Sequence, residues 1–188
     1  NKIIAGGGKA ILISHMGRPK GKFVKELSLR HVLNCLSKLV GKTVFFSPDC
    51  IGKKALRDVD KMKNGDVLLL ENLRFYAEEE KGDENFAKEL SKMGDIYVND
   101  AFGTAHRTHA STTTIANYFK NAKHFGLLLG SEVESIKRVT ENPRRPFTAI
   151  IGGAKTSGKI NVLRALIKKV DNLIVGGGMA YTFIKALG

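Results

Sequence analysis

The chain has 188 residues, 43% of them hydrophobic, which is enough to enclose a core and makes a folded protein the expectation. Its 31 lysines and arginines against 18 acidic residues leave a formal charge of +13, favouring anionic partners over cationic ones. No apolar run approaches the roughly 18 residues of a membrane span; the longest, residues 125–129, is a strand-sized patch, so no membrane insertion is expected.

The first residue is Asn1, and residues 1–5 carry neither a charged leader nor a hydrophobic signal core. Gly6, Gly7 and Gly8 then read as a helix-to-strand turn. From there, short apolar runs rich in branched residues, at 10–13, 43–46, 67–70, 96–98, 148–151 and 173–175, alternate with segments of helical period. These runs are predicted as buried parallel strands. Between the first two, Ser28 is placed to cap a helix whose apolar face carries Leu29, Val32, Leu33, Leu36, Leu39 and Val40, and Gly41 supplies its stop. Weaker helices follow over 55–62 and 84–93, each closed by a glycine, Gly65 and Gly94. The acidic run Glu78, Glu79, Glu80 between them reads as a solvated loop. This βαβ alternation predicts an α/β fold, a parallel sheet with helices on both faces in a Rossmann-like three-layer arrangement.

Residues 130–146 break the pattern, where a charged helix (132–138) runs into Asn142, Pro143, Arg144, Arg145 and Pro146. The break is read as an inter-domain connector over 131–146, between a first domain (1–130) and the beginning of a second (147–188). The second holds a strand, a glycine turn, a helix with Ile160, Leu163, Leu166 and Ile167 on its face, and a strand ending in Gly176, Gly177 and Gly178. Two strands cannot bury a sheet on both faces, so either that domain is incomplete or its strands join the first sheet. Cys35 and Cys50 lie outside any CxxC or metal-ligand spacing and read as buried free thiols of a reducing compartment. The lysines are scattered through the predicted helices, tryptophan is absent and tyrosines are few, which argues against a nucleic-acid binder.

Ligands of open parallel sheets bind beyond the carboxyl ends of the strands, where loops converge and helix N-termini direct their positive ends. The first predicted strand is followed by Ser14, His15, Met16, Gly17, Arg18 and Pro19, and the third by Glu71, Asn72, Leu73 and Arg74. The fourth leads into the stretch from Asp100 to His109, which includes His106 and Arg107. Three loops thus bring Arg or His to one edge, a cationic cradle for a small phosphorylated, acidic metabolite. The planar fork of Arg suits phosphate and carboxylate oxygens, and Gly17 and Gly103 allow close backbone approach. A general-base role for His15 or His109 stays open, but no nucleophile with a paired acid accompanies them, so charge recognition is the stronger reading.

A second candidate is the stretch Gly152, Gly153, Ala154, Lys155, Thr156, Ser157, Gly158, Lys159, Ile160, between a strand and a helix. From Gly153 to Lys159 it fits the G-x-x-x-x-G-K part of a P-loop, and it fails at Ile160, where a P-loop needs the hydroxyl that binds magnesium. A glycine-rich turn with two lysines at a helix N-terminus is nonetheless a phosphate site on physical grounds.

The strings SHMGRPKGK (14–22), LLLENLRF (68–75), VNDAFGTAHRTHAS (98–111), IIGGAKTSGKI (150–160) and IVGGGMAYTF (174–183) together resemble the phosphoglycerate kinase family over essentially the whole chain. The resemblance implies a cytoplasmic, monomeric glycolytic phosphotransferase with a carboxyl acceptor, moving the acyl phosphate of 1,3-bisphosphoglycerate reversibly to ADP to give 3-phosphoglycerate and ATP. By position it assigns acid-substrate binding to His15, Met16, Gly17, Arg18, Arg74 and Arg107. Nucleotide binding falls on Gly153, Lys155, Lys159, Gly177 and Gly178, with Lys155 also the catalytic group that neutralises the phosphoryl in flight. The nucleotide would come with Mg2+, whose aspartate ligand the resemblance places outside this chain, and neither nucleic acid nor membrane is an implied partner. The resemblance also implies two lobes that close for transfer. It further implies a chain truncated at both ends, lacking the first strand with its Asp, Asn and Arg contacts and most of the second domain, and therefore inactive alone. At Thr156 and Gly158 the sequence departs from the residues frequent in the family.

Overall fold

The computed structural model of the chain describes residues 1–154 and 157–188. They divide into two units, Asn1–Leu129 and Gly130–Gly188. The first unit opens with α1 (Lys2–Ala5), the Gly6–Gly8 turn and β1 (Ala10–Leu12). Next come tight 3-10 turns at Lys25–Leu27 and Leu29–Val32, then α2 (Leu33–Val40), β2 (Val44–Ser47), α3 (Gly52–Asp60) and β3 (Val67–Leu70). A 3-10 turn at Leu73–Phe75 leads into α4 (Ala77–Lys81), α5 (Glu84–Ser91) and β4 (Tyr97–Asn99). Two more turns, Phe102–Thr104 and Thr114–Tyr118, precede β5 (Lys123–Phe125) and α6 (Leu127–Glu141).

β3 runs between β1 and β2, parallel to both, with Leu12 opposite Leu69 and Phe46 also opposite Leu69. All four residues of β3 are buried, as a central parallel strand covered on both faces requires. Their side chains alternate between two clusters. Leu68 and Leu70 join Ala55 of α3 and Phe86, Ala87 and Leu90 of α5, whereas Val67 and Leu69 join Leu29 and Val44, with Leu33 and Leu36 of α2 packed against them. The sheet therefore has helices on both faces, the predicted three-layer α/β arrangement.

Three local readings change. The helix expected from Leu29 begins as a 3-10 turn, because the buried Glu71 carboxylate takes the Leu29 N–H (2.8 Å) and the Ser28 hydroxyl (2.6 Å) at its start. Ser28 still caps it, accepting from the Arg30 N–H, and Gly41 ends α2 in the left-handed conformation at φ +78°. Leu39, assigned by its spacing to the apolar face, is 75% exposed. The patch 125–129 is not one strand: β5 ends at Phe125 and α6 starts at Leu127. The Asp100 carboxylate accepts the Leu129 N–H at 2.9 Å and the Asn99 carbonyl accepts the Gly126 N–H at 2.8 Å, which satisfies donors that a helix start leaves open. A Cβ at Gly126 would lie 2.2 Å from the Asp100 carboxyl carbon, so only glycine fits this join. The third change is the acidic run, which is helical in α4, with Glu79 buried.

In the second unit, β6 (Thr148–Gly152), α7 (Ile160–Ile167), β7 (Asn172–Gly176) and α8 (Gly178–Leu187) follow the end of α6. β6 and β7 form their own parallel pair, with Ile150 opposite Ile174, and Ile151, Leu163 and Met179 make its small core. Asp171 fixes the entry to β6 by accepting from the Phe147 N–H (2.6 Å) and from Arg145 Nη1 (2.9 Å). Among the described residues no helix is long and apolar enough to cross a membrane.

Leu70 is fully buried and Leu39 is largely exposed, so truncating each to Ala separates core from surface. Leu70→Ala is expected to lower the unfolding free energy by about 2–5 kcal/mol in urea titration, and Leu39→Ala to change it by less than about 0.5 kcal/mol. Equal effects would contradict this packing.

Candidate functional site

The loop after β1 is stitched to the turn after β3. Asn72, only 1% exposed, donates from Nδ2 to the carbonyls of Met16 (2.8 Å) and Leu27 (2.8 Å), and its Oδ1 accepts the Arg74 N–H. Leu73 N–H donates to the Ser14 carbonyl at 3.1 Å. Arg74 is also buried, and its Nη1 donates to the Gly17 carbonyl at 3.0 Å. Gly17 has φ +63°, and a Cβ there would lie 2.7 Å from Leu27 Cδ2, so a side chain is excluded by both backbone and packing. Every carbonyl that fixes the His15–Arg18 loop is thus gripped by one short segment, and Glu71 holds that segment in turn by accepting the Asn72 N–H at 2.7 Å.

The loop after β4 is held from a different side. Glu79 is 3% exposed and accepts from Ser111 Oγ (2.5 Å) and the Ser111 N–H (2.9 Å), with His109 Nδ1 at 3.8 Å from the same carboxylate. Tyr97 donates its hydroxyl to the Ser111 carbonyl at 2.7 Å, and burial pushes its phenol up to about 12, so it remains a donor. Glu80, one position on, forms an ion pair with Arg74 Nε at 3.5 Å that falls short of a hydrogen bond. Among the described residues Arg74 Nε is thus buried without a hydrogen-bond partner, facing the Glu80 carboxylate.

His15 stands among charged groups from other loops. Its pKa is lowered from 6.5, first by burial, then by Arg74 and His109, with Glu80 opposing and Arg107 adding to the depression. Groups from the loops after β1, β3 and β4 therefore act on one imidazole. His15 is half-buried, while Arg18 and Arg107 are exposed. The predicted residues His15, Arg74 and Arg107 are brought to one edge, with Met16 and Gly17 contributing backbone carbonyls to its scaffold. A cavity of about 250 Å³ opens nearby, lined by Phe23, Asp49, Cys50, Glu71 and Tyr76 among others. Its carboxylates disfavour an anion, so the cationic edge rather than this cavity is the candidate site.

In the second unit the glycines meet at the strand ends. The Met179 N–H donates to the Gly153 carbonyl at 2.9 Å, and Gly177 has φ +66°. A Cβ on Gly177 would come within 3.2 Å of Gly153 N, and one on Gly178 within 3.2 Å of the Ala154 carbonyl, so the backbones pack with no side chain between them. Lys159 caps α7 and donates from Nζ to the Gly152 carbonyl. Lys155, predicted as the catalytic lysine, and Thr156 lie outside the described residues. Among the described residues no group of three or more His, Cys, Asp or Glu side chains is disposed to hold a metal ion.

Glu71, Asn72, Glu79 and Glu80 are the residues that sequence reasoning passed over. The signal for the first two was available: a glutamate and an asparagine directly behind a wholly apolar strand have nowhere to go but the buried strand end. For Glu79 there was no such signal, because a run of three glutamates looks solvated by composition.

Residues 1–188 match the family model described as phosphoglycerate kinase. A phosphoglycerate kinase of Chlorobium phaeobacteroides is 53% identical over 188 residues, which are 100% of this chain and 47% of that protein. One of Porphyromonas gingivalis is 50% identical over 211 residues, covering 100% of this chain and 50% of that protein. Of solved structures, phosphoglycerate kinase from Coxiella burnetii aligns with a TM-score of 0.85 at 43% identity, covering 100% of this chain and 46% of that one. That from Pyrococcus horikoshii aligns at 0.83 and 32%, covering 100% and 47%. The chain spans about half the length of the curated relatives it matches.

Burial and cationic neighbours disfavour the His15 imidazolium, and a bound anion reverses the sign of its surroundings. His15 is expected to titrate below 6.5 without ligand and to move upward with phosphate bound, read from its ring-proton NMR shifts. Because its folded pKa is the depressed one, the unfolded chain takes up more protons, so His15 removes stability as pH falls below 6.5 through that folded value. A ligand-free pKa above 6.5, or a downward move on binding, would contradict the geometry.

Proposed function

This chain belongs to the phosphoglycerate kinase family, and on that premise we propose that the intact protein transfers the acyl phosphate of 1,3-bisphosphoglycerate to ADP, reversibly, giving 3-phosphoglycerate and ATP. The observation that carries this reading is the bracing of the His15–Arg18 loop by the turn after β3, with Asn72 Nδ2 on the Met16 carbonyl at 2.8 Å and Arg74 Nη1 on the Gly17 carbonyl at 3.0 Å, which gathers guanidinium and imidazole groups at one edge. A substrate with a phosphate and a carboxyl group matches such an edge, because guanidinium groups bind both kinds of oxygen pair.

The chemistry fits the residues available. In transfer, the bond between the carboxyl oxygen and phosphorus breaks, a bond from an ADP β-phosphate oxygen to phosphorus forms, and the electron pair leaves with the carboxylate. No proton has to be removed from a nucleophile, which agrees with a site rich in charge and poor in paired acid and base. Catalysis of this kind rests on positioning and on offsetting charge on the equatorial oxygens. His15, Arg18, Arg74 and Arg107 hold and orient the acid, with the backbone of Met16 and Gly17 shaping the loop. Gly153, Gly177 and Gly178 give nucleotide phosphates side-chain-free backbone, Lys159 supplies charge once it leaves the Gly152 carbonyl, and Lys155 is the group that neutralises the moving phosphoryl. Magnesium, when bound with the nucleotide, offsets phosphate charge, and no residue of this chain is assigned to it. The reading carries with it a cytoplasmic monomer without nucleic-acid or membrane partners, and the free thiols suit a reducing compartment, Cys50 buried as expected and Cys35 exposed where burial was expected. It also keeps the division into an acid-binding domain (1–130), a connector (131–146) and the beginning of a nucleotide domain (147–188).

A coupled assay is expected to show ATP formation by the intact protein and almost none by the 188-residue chain alone. Near-normal turnover by the chain would overturn the assignment of part of the machinery to residues outside it. In the intact protein, Arg107→Ala is expected to cost about 1.5–3 kcal/mol in kcat/KM for the acid substrate, one charge-assisted contact. Unchanged kinetics would remove Arg107 from the site.

A further inference from the structure

We propose that Glu79 is a positioning residue of the anion site, a role that rests on the kinase reading above. Its carboxylate, 3% exposed, lies out of reach of bulk water, and a charge so placed persists only where hydrogen bonds and counter-charge compensate it. Among the described residues that compensation comes from one stretch, the loop after β4. Ser111 gives both its hydroxyl (2.5 Å) and its N–H (2.9 Å), and His109 approaches to 3.8 Å. The main chain adds a further tie, since the Glu79 carbonyl accepts the Ala110 N–H at 2.9 Å.

The consequence falls on Arg107. Its carbonyl accepts the hydroxyls of Thr112 and Thr113, each at 3.0 Å, so the turn 107–113 closes on itself. Glu79 holds the far limb of that turn at 109–111, and Gly82 backs the near limb, where a Cβ would lie 2.4 Å from the Thr108 carbonyl oxygen. The Thr114 hydroxyl completes the clamp by donating to the Gly82 carbonyl at 3.0 Å. The exposed Arg107 side chain is left to reach a ligand from a backbone tied at both limbs of its turn. Glu79 and Glu80, adjacent on α4, thereby serve two loops: Glu79 fixes the one carrying Arg107 and His109, and Glu80 pairs with Arg74. A side chain that only filled space would serve a fold better if it were apolar, because a buried carboxylate exacts desolvation. What the charge adds is one defined geometry for the turn.

The test uses the intact protein and steady-state kinetics with 3-phosphoglycerate and ATP varied separately. Glu79→Gln keeps the shape and removes the charge. It is expected to raise KM for 3-phosphoglycerate about tenfold while KM for ATP stays within about twofold. Ser111→Ala deletes only the hydroxyl partner and is expected to shift the same parameter in the same direction by about threefold, which keeps the test in hand if the Gln variant does not fold. A purely structural carboxylate would lower the melting temperature and leave the ratio of the two KM values unchanged, and that outcome in either folded variant overturns the inference. An intact wild-type protein with no transfer activity would instead overturn the functional reading, and the role of Glu79 with it.

Discussion

Arg74, His109 and Arg107 lie close enough to His15, across the ends of β1, β3 and β4, to disfavour a positive charge on its imidazole, and the two guanidinium groups, alike in charge, repel. A chain left to its own electrostatics would spread such loops apart. Three carboxylates from the turn after β3 and from α4 prevent that. Glu71 takes the N–H groups at the start of the Leu29 turn and of Asn72, Glu79 takes Ser111 and faces His109, and Glu80 pairs with Arg74. The positive edge is therefore mounted on carboxylates, of which Glu71 and Glu79 are buried and Glu80 is exposed, and the loops that carry it are fixed by hydrogen bonds before any ligand arrives.

Preorganisation of this sort suits a phosphoryl transfer in which the protein moves few protons and mostly orients and neutralises. It also explains the distribution of burial along the edge. Arg74 is buried and braced on the Gly17 carbonyl, so its reach is short and its place is set, whereas Arg18 and Arg107 extend from braced backbones into solvent. The second unit follows another rule, with glycine backbones in direct contact at the ends of β6 and β7.

Much of this was legible in the sequence where one physical signal dominated. The run 67–70 was one of six apolar runs read as buried parallel strands, and in the structure it is the central one, buried at all four residues. The strand-end cations stood out because three separate loops carried them. The misreadings came where tertiary contacts outweigh local pattern. Leu39 keeps the helical spacing, yet the packed face of α2 does not extend to it. The patch 125–129 divides between strand and helix because Asp100, distant in sequence, accepts the Leu129 N–H. Glu79 was invisible for the same reason: its partners lie some thirty positions away, at Ser111 and His109.

The claim most worth testing is that the loops after β1, β3 and β4 form a single anion site. A crystal structure of the intact protein with 3-phosphoglycerate addresses it directly. The account requires His15, Arg74 and Arg107 to contact the same bound molecule through its carboxylate or phosphate oxygens, with Ser111 still on Glu79. A ligand held by only one of those loops, or bound in the cavity beside Asp49 and Tyr76, would contradict it.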